Sequence, residues 1–153
     1  MPGAPGFDLA EAHHYFAAWC FNCAWDLIDK PDRTAEDDRM MALLSQASVL
    51  HWTQRPDCTA QNLSIGYWQA SRVQSLIGNP AEALRLGEIC LSYSGDLRPF
   101  FVAYAHEAMA RALIQLGRRE EAAPHLGAAR EQLPLVKMQE DRDRLAADLD
   151  QLA

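Results

Sequence analysis

The chain carries the same helix–turn–helix pattern twice. One copy, SIGYWQASRVQSLIGNPAEALRLGEICLSYSG, begins at Ser64, and the other, AYAHEAMARALIQLGRREEAAPHLGAAREQLP, begins at Ala103. Their turn glycines, Gly78 and Gly117, lie 39 positions apart. Small residues recur in the same register: Ser71 with Ala110, Ala83 with Ala122, Cys90 with Ala129. A repeat of this size is a helical hairpin that cannot bury its apolar face alone, so copies stack and share a core. The pattern predicts an all-α fold of about three antiparallel hairpins in a short array. No strand-like alternation competes with it.

Composition narrows the partners more than the job. At 153 residues and 49% hydrophobic, the chain is long enough and apolar enough for one folded domain over 1–153. A net charge of −7 disfavours nucleic acid or an anionic membrane as partner. The opening MPGAPGFDLAEAHH lacks the basic and apolar regions of a signal peptide. No apolar run approaches the roughly 20 residues that span a bilayer. These features predict a cytoplasmic protein.

The helix boundaries follow from caps and breakers. Residues 1–7 read as a flexible start. Asp8 caps helix 1, with Glu11 placed to complete a capping box, and Lys30-Pro31-Asp32 ends it. Thr34, with Asp37 in the third position, caps helix 2, so that 8–53 forms a diverged hairpin. Thr59 caps the helix that ends at Gly78, and Asn79-Pro80 starts the next, giving a repeat over 59–95. The second repeat, 96–133, turns at Gly117. Pro134 breaks the chain before a C-terminal helix over 136–152.

These two repeats resemble tetratricopeptide repeats. Tyr67 and His106 take the early aromatic place of the first helix, Ser71 and Ala110 the small place, and Gly78 and Gly117 the turn. Ala83 and Ala122 take the first alanine of the second helix, Cys90 and Ala129 the last, and Pro134 the closing proline. Gly87 stands where the family has a bulky residue, with Leu86 beside it to compensate. The segments ASVLHWTQ, SIGYWQASRV and EDRDRLAADL further resemble a group of uncharacterised bacterial proteins related to these repeats. The resemblance implies a scaffold for protein–protein interaction, with the last helix as a solvating cap, and carries no activity.

In such an array the first helix of each repeat lines a concave face. Trp68, Arg72 and Ser75 form an outward row in one repeat, and Tyr104, Glu107 and Arg111 in the next. The repeat register sets Trp68 beside Glu107 and Arg72 beside Arg111. Two arginines with two aromatics suit a carboxylate or an extended peptide. The competing reading is a structural ion pair between Glu107 and an arginine, with no partner in the groove. A second alternative is a small-molecule or anion site in an interior pocket, with His51, Arg72 or Arg111.

Helix 1 is apolar almost all round. Phe16, Cys20, Cys23 and Leu27 share one side; Tyr15, Trp19, Asn22 and Asp26 share another; Phe21 and Trp25 lie elsewhere. Such a helix is covered, either by its own chain or by a second subunit. Tyr15, Trp19, Phe21 and Trp25 are therefore candidates for self-association into a homodimer.

No constellation argues for catalysis or a metal. Cys20 and Cys23 form a C-x-x-C inside a helical stretch without a preceding strand, and Cys58 and Cys90 do not make a second pair. His13 and His51 fall on apolar helix rows, where a hydrogen-bonded core histidine is the usual occupant; His13 and His14 point about 100° apart. Glu36, Asp37 and Asp38 sit in a first helical turn, where they suit the helix dipole. The alternating charges from Glu140 to Arg144 suit a solvated face. Phosphate loops, nucleophile elbows and zinc-protease motifs do not occur. The expectation is a binding protein with no cofactor, no metal and no enzymatic activity.

Overall fold

A computed structural model describes residues 3–153. Every regular element among them is helical: α1 Leu9–Ile28, α2 Ala35–Thr53, α3 Ala60–Leu76, α4 Pro80–Ser94, α5 Pro99–Gln115, α6 Arg119–Gln132, a 3₁₀ turn at Leu133–Leu135, and α7 Gln139–Asp150. The expected flexible start spans 1–7; residues 1 and 2 lie outside the described residues, and 3–7 are exposed and non-helical. Internal contacts divide the chain into two compact units, one ending at Thr59 and one spanning Ala60–Ala153. The division falls at the start of the first repeat. No described helix is long and apolar enough to cross a membrane.

The first unit is the hairpin α1–α2. Asp8 caps α1 by accepting from the amides of Ala10 and Glu11 at 2.8 and 3.1 Å. The Thr34–Asp37 capping box forms in both directions, at 3.1 and 2.8 Å. Lys30 reaches Asp37 at 2.7 Å and, with the cap, holds that carboxyl down to about 2. Between the helices the buried residues are mostly small: Ala17, Cys20 and Ala24 against Met41, Ser45, Ser48 and Val49. Small contacts let the backbones approach, and Ser48 donates to the Ala17 carbonyl at 2.7 Å across the pair. Arg55 closes the end of the unit. It lies over Trp52 at 3.9 Å and grips Asp57 with two nitrogens, at 2.8 and 2.6 Å.

The second unit stacks α3–α4 on α5–α6, with α7 on α5 and α6. Gly78 and Gly117 adopt φ of +81° and +76°, a region that ordinary side chains avoid. After each, the same bond closes the helix end: Asn79 donates to the Gln74 carbonyl and Arg118 to that of Leu113, both at 2.8 Å. All six small residues matched between the repeats are buried. Ser71 uses its place to donate to the Ala83 carbonyl at 2.7 Å. Gly87 marks the close approach of α4 to α5: a Cβ there would sit 3.4 Å from the Met109 sulfur and 3.6 Å from the Ala108 backbone. Leu86 beside it is buried.

The C-terminal helix starts later than expected, at Gln139 rather than Val136. Val136 is extended and buried, and Arg142 turns back to donate to its carbonyl at 2.6 Å. From α7, Leu145 and Leu149 enter a core with Ala103, Tyr104, Ala129 and Val136. Leu152 joins Ala110, Leu113 and Ala122. The opposite face of α7 carries the exposed charges Glu140, Asp143 and Arg144.

Candidate functional site

The two helices that should line a groove, α3 and α5, meet along a polar seam. Trp68 Nε1 donates to Glu107 Oε2 at 3.0 Å, so the repeat register sets these two side by side as expected. Arg111, one turn along α5, donates to Glu107 Oε1. Farther along the seam, Ser75 donates to Gln115 Oε1 at 2.6 Å, and Gln115 returns a bond to the Ser75 carbonyl at 3.3 Å.

The exposure of the seam corrects the expected outward row. Glu107 is 0% exposed and Tyr104 is 8% exposed. The Arg111 side chain is 11% exposed, Ser75 is buried, and Trp68 and Arg72 are half-buried. Two causes are visible. α5 packs against α3, α4, α6 and α7, so a central helix has little solvent side to offer. The cap helix also covers one end, where Tyr104 donates to Asp148 of α7 at 2.7 Å. Burial and the Asp148 carboxylate both push the Tyr104 phenol up. The sequence carried a sign of this. From Pro99 to Ile114 the only charged residues are Glu107 and Arg111, and a helix apolar nearly all round is a buried one.

A fully buried carboxylate is costly unless paired and hydrogen-bonded. Glu107 meets that condition with Arg111 on one oxygen and Trp68 on the other. The Glu107–Arg111 ion pair is thus a structural element of the seam. Arg111 still holds one donor back: its Nε is buried without a hydrogen-bond partner. Above the seam, Trp68 packs edge-on to Tyr104 at 5.4 Å, and Tyr104 to Phe100 at 4.9 Å.

In the first unit the self-association candidates separate. Tyr15 and Trp19 are exposed, at 59% and 44%. Phe21 and Trp25 are half-buried and pack edge-on to each other at 6.4 Å. Phe16, which periodicity sets on the same side as Cys20, is exposed while Cys20 is buried, and it touches both Tyr15 and Trp19. Met40 and Leu43 of α2 are exposed as well.

The histidines form an arrangement that periodicity alone did not show. His13 Nδ1 and His51 Nδ1 lie 2.8 Å apart, linking α1 to α2. His106 Nδ1 and His125 Nδ1 lie 2.9 Å apart, linking α5 to α6. All four rings are half-buried. In each pair one nitrogen must donate and the other accept, which requires an unprotonated nitrogen in the contact. Burial, then the His13 charge, pushes His51 down; burial, then the His125 charge, pushes His106 down; burial pushes His125 down.

The four cysteines are free thiols. Burial raises Cys20, with a further push from Cys23, and raises Cys90 to about 11; neither position favours the reactive thiolate. Among the described residues no group of three or more His, Cys, Asp or Glu side chains is placed to hold a metal ion. Compared with known proteins, the chain matches no family model, no curated protein and no solved structure.

Proposed function

We propose that this protein is an interaction module: its α3–α5 seam receives a carboxylate-bearing segment of a partner protein, and its first hairpin associates with a second copy. The observation that carries the reading is Arg111. A buried carboxylate fixes its guanidinium while its side chain keeps 11% of its surface open to solvent along the seam. A donor immobilised before the ligand arrives loses little entropy on binding. Arginine also presents a planar fork suited to carboxylates. Arg72, one repeat earlier at the equivalent position, supplies a second cation, and Trp68 supplies apolar contact. The resemblance to tetratricopeptide repeats points the same way. The free thiols and the acidic balance suit a cytoplasmic setting.

The test is a peptide array of acidic sequences with free carboxyl termini, with amidated and neutral controls. Binders are then titrated against the wild type and Arg111→Lys, which keeps the charge beside Glu107 and removes the fork. Loss of a charge-assisted hydrogen bond, about 1.5–3 kcal/mol, predicts at least a roughly tenfold weaker complex at a similar melting temperature. Indifference to carboxylates, or equal binding by Arg111→Lys, would refute the reading. Saturation by acetate or citrate alone would favour a small-anion site.

A further inference from the structure

We propose that the uncharged face of the α1–α2 hairpin seats a second copy of this chain, and that the His13–His51 pair within it lets protons dissolve the contact. This names the surface and the control of the self-association proposed above, and it rests on that reading.

The face is continuous. Phe16 packs edge-on against Tyr15 at 5.2 Å and Trp19 at 6.0 Å, and lies beside His51 at 5.5 Å. Leu9 on α1 and Met40 on α2 are exposed at its ends. Between themselves the two helices bury mainly small residues and leave these large ones outside. An aromatic side chain has about 150–250 Å² to bury. The exposed fractions of Tyr15, Phe16 and Trp19 leave roughly 200–350 Å² of aromatic surface, to which Leu9 and Met40 add, a core for the roughly 800 Å² per partner of a standard interface.

Charge selects the occupant. Residues 12–25 of α1 and 40–53 of α2 contain no Asp, Glu, Lys or Arg, in a chain of net charge −7. A patch without charge offers nothing to an acidic or basic partner. Two acidic copies repel each other except where both are bare, and a two-fold axis brings the same bare patch to itself. Joining two antiparallel hairpins this way gives a four-helix arrangement.

The same bareness makes the histidines consequential. Besides the pair, the titratable groups on those two stretches are His14, Tyr15, Cys20 and Cys23, none of them a carboxylate. Just beyond those stretches lie Glu11 and Asp26 on α1 and, past α2, the Arg55–Asp57 pair, whose carboxyl is held down by Arg55 first and also by His14. A first proton places an imidazolium in an apolar face that holds no carboxylate of its own. A second makes both Nδ1 atoms donors at 2.8 Å, and their bond is lost. The contact is therefore strongest above the ordinary histidine range near pH 6.5 and weakens as pH falls below it.

Sedimentation of the full chain at about pH 8 and about pH 5.5, with circular dichroism at both, tests this across the histidine range. The wild type should show twice the chain mass at the higher pH and the single mass at the lower, still helical. His13→Gln/His51→Phe should stay dimeric at both. Trp19→Glu, at an exposed position, should be monomeric at both. A wild-type monomer at pH 8 overturns self-association itself. A dimer that ignores Trp19→Glu leaves self-association standing and refutes this face. A wild-type dimer that persists at the lower pH, or a histidine double variant that dissociates like the wild type, refutes the proton control.

Discussion

Removing Arg111 should cost far more than removing both members of its ion pair. Glu107 is fully buried and its acceptors are satisfied by Trp68 and Arg111. Arg111→Met fills much of the same volume but strands the carboxylate with one hydrogen bond. At an effective dielectric near 20, two unit charges at about 4 Å attract by about 4 kcal/mol, and breaking one side of a buried pair costs about 3–5 kcal/mol. In a chain of this size that is a fall in melting temperature of roughly 10 °C. Glu107→Gln/Arg111→Met removes both charges and keeps an amide oxygen for Trp68 Nε1. An uncharged, well-packed replacement of a buried pair is often neutral, so the double variant should lie within about 1 kcal/mol of the wild type. Urea titrations of the wild type, both singles and the double close the cycle. If Arg111→Met costs under about 1 kcal/mol, or the double is no better than the single, the carboxylate is reaching water and the argument for a preorganised seam fails with it.

Two further outcomes follow from the same packing. Leu149→Ala opens a hole where α7 meets α5 and should cost about 2–5 kcal/mol, whereas Leu135→Ala at an exposed site should stay within about 0.5 kcal/mol; similar values for the two would mean that α7 is not packed as described. The His106–His125 pair should make the second unit acid-sensitive. Both are pushed below the ordinary histidine range, so their contribution is whole above about pH 6.5 and is lost as pH falls. A melting temperature of the full His13→Gln/His51→Phe chain that is flat from about pH 8 to 5.5 would contradict this.

What could be read from the sequence was what the backbone dictates locally. Gly78 and Gly117 declare their turns because only glycine accepts that φ cheaply. Thr34–Asp37 declares a helix start because its two bonds are made within four residues. The matched small residues declare helix–helix contacts because two backbones cannot approach over large side chains. Val136 misled for a related reason: an apolar residue announces burial, not helix, and this one is buried in extended backbone.

The site was only half legible, and the missing half is a matter of what lies on top. Periodicity gives the rotation of one residue relative to another on the same helix, and the repeat register adds the neighbour across the seam. Both worked for Trp68 and Glu107, which do meet. Neither says whether the seam faces water. That depends on α7, whose Asp148 takes the Tyr104 hydroxyl from 44 residues away. The histidine pairs were hidden the same way: His106 and His125 lie on different helices, and their contact follows from where α5 crosses α6. Helix 1 alone cannot show which of its apolar rows α2 takes; α2 takes Ala17, Cys20 and Ala24, and the larger Tyr15, Phe16 and Trp19 are left outside. Small side chains won that contest because they admit the closer helix pair. The aromatic row then has no place inside the hairpin, and it becomes the surface on which self-association must be sought.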